Sequence, residues 1–171
     1  MPNVPLYAML SVGQGNSARA AWLAPGGSYH RRVFQQTTLG LAEAERARDA
    51  ILAALTATDS PVALAIADEH GVPVLLLRQD GAPARMLSRA RAKAYTAATL
   101  GVDTVVFRDE HLKARRRSLS DWGDPMLTSL QGGLVVEHNG RVIGGIAMSG
   151  NTTARDEALA QIGRQAIGGV A

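Results

Sequence analysis

Gly132-Gly133-Leu134-Val135-Val136-Glu137-His138-Asn139-Gly140-Arg141-Val142-Ile143-Gly144-Gly145-Ile146-Ala147-Met148-Ser149-Gly150 decides the fold of this chain. Two apolar, β-rich runs flank Asn139-Gly140, the dipeptide best able to fill both left-handed positions of a tight hairpin turn. Gly144-Gly145 lies inside the second run. Paired glycines weaken a strand and mark a bulge or a close approach of other backbone, so a ligand or a packed helix is expected there. Beyond Gly150, Thr153 and Asp156 have the spacing of a helix cap, and Asp156 and Glu157 suit the positive end of a helix. The spacing predicts a helix over residues 154–167.

Upstream, the same kind of signal repeats. Residues 62–67 and 72–77 are apolar runs around Asp68-Glu69-His70-Gly71, a second hairpin in which Gly71 is free to take positive φ. The run 62–67 is apolar at every position, so both of its faces should be covered. Pro73 suits the start of an edge strand. Leu41, Ala44, Ala47, Ile51 and Leu55 recur at helical spacing and predict a helix over 41–57, with Gly40 as its cap. A second helix is expected over 84–100, opened by Pro83 and closed by Gly101. Its small residues Ala90, Ala94, Ala97 and Ala98 let it sit close to a sheet. The order is helix, strand, strand, helix, irregular loop, strand, strand, helix. Two hairpins exclude a doubly wound parallel sheet and imply an α+β antiparallel sheet with helices packed on it.

The chain has 171 residues, 46% hydrophobic and 4% aromatic, enough for one domain whose core is built from Ala, Val, Leu and Ile. It has no cysteine, which excludes disulfides, thiolate metal sites and a cysteine nucleophile. A formal charge of +3 gives little pull on nucleic acid. No apolar run is long enough to span a bilayer and no secretory signal opens the chain, so no membrane role and a cytoplasmic location are expected. Residues 1–37 are dense in Gly and Pro and read as an arm. It is either a surface arm or one that packs on a neighbouring subunit through Leu6, Tyr7, Met9, Leu10, Trp22 and Phe34.

With these elements placed, residues 38–171 resemble the GlcG/HbpS family. The resemblance rests on Leu41-Ala42-Glu43-Ala44, Ala67-Asp68-Glu69-His70-Gly71, Arg78-Gln79-Asp80-Gly81-Ala82-Pro83, Lys93-Ala94-Tyr95-Thr96-Ala97-Ala98, Gly132-Gly133, Gly144 to Gly150 and Asp156-Glu157. It implies a profilin-like antiparallel sheet flanked by helices in a single domain, a homo-oligomer, and a small-molecule ligand, with haem or a related tetrapyrrole foremost. Two positions depart from the family pattern: Val135 stands where proline is usual, and Gly40 where Ser or Thr is usual.

A tetrapyrrole needs apolar walls, cations for its propionates and usually an axial ligand. Of the four histidines, His70 and His138 fall in hairpin turns, His30 in the arm, and His111 in the irregular 102–131 loop, which makes His111 the best histidine ligand. Met86, Met126, Met148, Tyr95 and Thr104 are other potential ligands. The expected binding set is His111, Arg78, Lys93, Thr96, Thr104, Gly132 and Gly133, with no metal site of its own. The pocket is expected near the paired glycines and the 102–131 loop. The alternative is a cofactor-independent enzyme acting on a small anionic or aromatic metabolite, with Lys93, Asp80 and His111 as candidate catalytic groups. Whether the chain is an enzyme is left open. Lys93 is either a helix-surface lysine or a buried one of lowered pKa. The basic run 113–117 is either a solvated face or an anion contact.

Overall fold

The structure, a computed structural model, describes residues 36–168. The arm residues named above and His30 lie outside the described residues. Four strands, β1 (Ala63–Asp68), β2 (Pro73–Arg78), β3 (Gly133–His138) and β4 (Arg141–Ser149), form one antiparallel sheet in the order β2-β1-β4-β3. Helices α1 (Leu41–Ala53), α2 (Ala84–Leu100) and α4 (Thr153–Gly168) flank it. The short α3 (Thr104–Val106) runs on into a π-helical turn, Phe107–Lys113, and a 3-10 turn follows at Leu119–Trp122. The α+β class expected from the sequence is what forms.

Strand alternation sorts the core into two unlike halves. Leu64, Ile66, Leu134, Val136, Ile146 and Met148 pack with Ala44, Ala47 and Ile51 of α1 and Leu159 and Ala160 of α4. Ala63, Ala65, Ala67 and Ala147 point the other way, against Ala90 and Ala94 of α2. The register places Ala65 opposite Ala147 and Ala67 opposite Gly145. So α2 rests on a floor of methyl groups and glycine, which brings its backbone close to the sheet. This explains Gly145: a Cβ there would lie 2.9 Å from Ala98 N and 3.2 Å from Ala98 Cβ. The close approach expected at the glycine pair is made by a helix at Gly145 and by the β1 main chain at Gly144.

The turn at Asn139-Gly140 has φ of 52° and 72°, the two left-handed residues that a tight hairpin requires. Gly101 closes α2 at φ 66°, as expected. Two boundaries differ from expectation. The first helix stops at Ala53, short of residue 57, because Arg155 takes the Ala54 carbonyl and Asp59 folds the following residues by accepting from Thr56 N. The cap of α4 shifts by one residue: Thr152 Oγ1 accepts from Arg155 N, while Asp156 accepts from Asn151 N at 3.0 Å. Asp156 is therefore not a surface cap. It is 4% exposed and needs another account.

Candidate functional site

Lys93 supplies that account. It is 3% exposed, on the face of α2 that looks over the ends of β3 and β4. Its Nζ donates to Gln131 O at 3.2 Å and to Met148 O, and lies 3.7 Å from Asp156 Oδ2. The lysine thus ties α2 to the first turn of α4 past the edge of the sheet. Burial pushes the Lys93 ammonium below its usual range, against the pull of Asp156, and nearby Arg89 lowers it further. Burial pushes Asp156 up, against the Asn151 amide and Lys93. Desolvation outweighs attraction on both partners, as expected for a pair removed from water. Beside it, Glu157 Oε2 is buried without a hydrogen-bond partner in the described residues.

Gly132 and Gly133 fit against this cluster. Gly132 has φ of 100°, and a Cβ there would lie 3.1 Å from Lys93 Nζ. A Cβ at Gly133 would meet Lys93 O at 2.5 Å and Thr104 Cγ2 at 2.7 Å. Gly133 admits the main chain of α2 at Lys93, and Gly132 the Lys93 ammonium and the first turn of α4. Thr104, fully buried, takes Gly133 N at 3.0 Å and donates to Gly133 O at 3.2 Å. Next to it Asp103 Oδ1 accepts from Val135 N at 2.8 Å, and Arg164 pairs with Asp103 at 3.1 Å. Residues 103 and 104 therefore cap outer backbone groups of Gly133 and Val135 on edge strand β3, where they would otherwise be unpaired. The departure at Val135 becomes intelligible, because a proline has no N–H to give Asp103.

Thr104→Val should leave both Gly133 groups without a partner. At about 1–3 kcal/mol for each buried unsatisfied group, the loss in a urea melt should be about 2 kcal/mol or more. Thr104→Ser should keep most of the stability, and equal losses in the two variants would show that the hydroxyl does not matter.

One turn toward the start of α2 from Lys93, a groove opens between the helix and the loop before β3. Arg89, Arg91 and Ala92 line one side, and Met126, Leu127 and Leu130 the other. Its volume is about 420 Å³. The loop is pinned to the helix: Tyr95 OH donates to Asp124 at 2.7 Å, and Thr96 Oγ1 accepts from Thr128 N at 2.9 Å while donating to Ala92 O. The groove is thus built in place, with a mixed wall of guanidinium groups, a thioether and aliphatic carbons.

The expected site residues divide into four places. Lys93, Thr104, Gly132 and Gly133 meet in the buried cluster. Thr96 holds the groove loop, its hydroxyl spent on main chain. His111 sits half-buried in the π-helical turn, its ring 6.2 Å from Phe107 and 6.3 Å from Trp122, in an aromatic cluster rather than in the groove wall. Arg78 and Asp80 line a separate cleft with the end of α1. His70 and His138 are exposed, and Arg115, Arg116 and Arg117 form a solvated face. Among the described residues no cluster of three or more His, Asp or Glu could hold a metal, and no helix is long and apolar enough to cross a membrane. The sequence reading missed Asp103, Arg89 and Arg91. The available signal was spacing: Arg89 lies four residues before Lys93, on the same helix face.

Comparison with known proteins agrees with this architecture. A family model described as haem degrading protein HbpS-like matches residues 39–165. An uncharacterised 15.0 kDa protein from the dhaT-dhaS intergenic region of Citrobacter freundii is 31% identical over 128 residues, 74% of this chain and 90% of that protein. HbpS of Streptomyces reticuli, solved as a double mutant, is 27% identical with a TM-score of 0.71, over 85% of this chain and 98% of HbpS. PduOC, solved as a complex with haem, has a TM-score of 0.67 at 23% identity, over 75% of this chain and 94% of PduOC, a likeness of fold. With the family model matched over residues 39–165, most of its length, the chain belongs to the HbpS-like family.

Proposed function

We propose that this protein binds a flat amphipathic anion of the haem type in the groove between α2 and residues 125–130. The observation that carries the proposal is the groove wall itself: two arginines beside Ala92, Met126, Leu127 and Leu130. A tetrapyrrole presents an apolar ring with carboxylates at one edge. Arg89 and Arg91 suit the carboxylates through charge-assisted hydrogen bonds. Ala92, Leu127 and Leu130 would keep water from the ring, and Leu130 is 46% exposed, so it has surface to give up. Met126 is the thioether donor in this wall, a ligand type that haem iron accepts. The groove is smaller than a whole tetrapyrrole, so it would hold one edge and leave the rest open. The family description and the haem complex of PduOC support the ligand class. When bound, haem would supply redox and ligand-binding chemistry at its iron. A homo-oligomer, with a second subunit over the open side, and a cytoplasmic location belong to the same proposal, and sedimentation and cell fractionation test them.

Hemin titration of the purified protein should give a saturable Soret shift at micromolar hemin. Arg89→Gln and Arg91→Gln should each weaken binding about tenfold or more, from about 1.5–3 kcal/mol for a hydrogen bond to a charged group. Absence of a saturable shift, or an unchanged affinity in the double variant, would sink the proposal.

A further inference from the structure

We propose that residues 124–131 form a strap that swings away from α2 to admit the ligand, and that the Tyr95–Asp124 hydrogen bond is its latch. This is a gate on the groove proposed above for haem, and it rests on that reading. Between Gly123 and Gly132 the chain forms neither helix nor strand. Among the described residues, no main-chain hydrogen bond ties 124–131 to another element. Helix α2 holds the strap through three side chains. Tyr95 OH donates to Asp124 Oδ2 at 2.7 Å, Thr96 Oγ1 accepts from Thr128 N at 2.9 Å, and Lys93 Nζ donates to Gln131 O at 3.2 Å.

The two ends of the strap are held unequally. Gly132 is buried, and a Cβ there would lie 3.1 Å from Lys93 Nζ, so this end is fixed. Gly123 is exposed at φ 66°, and a Cβ there would meet nothing within 4 Å. The strap therefore swings about its Gly132 end, with Gly123 absorbing the change in backbone angle, and the latch sits at the loose end. Packing leaves it somewhere to go. The groove on the α2 side measures about 420 Å³, and a second hollow of about 410 Å³ lies beside the 3-10 turn, against Leu119 and Ser120. Pro125 and Leu127 line both, so the strap is a thin wall between them. Elsewhere the interior is close-packed, and a wall hollow on both sides has few contacts to lose. Leu127, 8% exposed against Phe107 and Leu112, is the apolar anchor that draws the strap back. Movement toward the second hollow enlarges the groove, which when latched holds only one edge of a tetrapyrrole. A lid of this kind sets the rates of entry and release. Tyr95 is a positioning residue: its hydroxyl acts on the groove only through Asp124.

Ala92→Cys puts the only thiol of a cysteine-free chain on the groove wall, where its reaction rate reads access without any ligand. The probes are N-ethylmaleimide, which is small, and fluorescein maleimide, which is broad and flat. Tyr95→Phe keeps the ring and removes the latch. In the full chain it should speed the fluorescein reagent about threefold or more, from the loss of one hydrogen bond, and leave the small reagent nearly unchanged. Asp124→Ala removes the latch from the strap side and should act alike, so the result does not hang on one variant folding. Without the added thiol, hemin should enter and leave Tyr95→Phe faster by the same factor with Kd unchanged, because the latch is closed in both the free and the loaded protein. Equal acceleration of both reagents marks general loosening and overturns the proposal. So do an unchanged fluorescein rate in the folded variants, and a change in hemin Kd with no change in its association rate. Gating of the reagent in a protein that takes no hemin supports the strap and overturns the haem reading alone.

Discussion

Lys93→Met should destabilise the protein by about 3–5 kcal/mol, the range for breaking a buried ion pair from one side. The substitution leaves Asp156, 4% exposed, without its cation, and removes the donor from Gln131 O and Met148 O. Most of the cost is the stranded carboxylate rather than a lost attraction. Lys93→Met with Asp156→Leu should therefore recover much of the stability, since both members of the pair are already pushed toward their neutral forms by burial. The pH dependence tests the same idea. The Lys93 pKa is lowered on folding, so between that value and the ordinary lysine value the unfolded chain holds more protons and stability rises with pH. Asp156 is raised, so its contribution is full below the ordinary aspartate value and is lost as pH rises through the folded pKa. Both slopes should vanish in the double variant. Urea melts across pH read all of this, and a single-variant loss below about 1 kcal/mol, typical of an exposed pair, would contradict it.

Gly145→Val should cost more than about 3 kcal/mol, beyond the usual 1–3 kcal/mol for extra carbon in a packed core. Valine is a better strand residue than glycine, so local preference argues the other way. Sterics win because the atoms in the way are the α2 backbone at Ala94 and Ala98, which no rotamer change can move. Glu137→Val, exposed on the same hairpin, should stay within about 0.5 kcal/mol and serves as the control. A Gly145→Val protein as stable as the parent would mean that α2 does not rest on the sheet as described.

Much of the fold was legible because its signals are local. Asn139-Gly140, Gly101 and the all-apolar run 62–67 each constrain backbone or burial without reference to distant residues. The helix end after Ala53 was not legible, because it depends on Arg155, which lies 101 residues from the Ala54 carbonyl it takes. The site was legible only in parts. The residues around Lys93 were singled out one by one, but their burial comes from α2, α4 and the end of β4 meeting, which no spacing encodes. The contacts of the glycine pair 132–133 are tertiary too: Gly133 meets the Lys93 main chain and Gly132 the Lys93 ammonium and α4. The groove beside α2 depends on Tyr95 and Thr96 fastening a loop about 30 residues away, again a tertiary matter.

The unequal treatment of the two sheet edges limits how copies of this protein can join. On β3 the Asp103 and Thr104 side chains occupy the outer backbone groups. Among the described residues nothing pairs beyond β2 on the other side. A strand added at β3 would have to displace Asp103 and Thr104 from Val135 and Gly133, so this margin resists templated pairing of the kind that builds fibrils, whereas among the described residues the β2 margin carries no such plug.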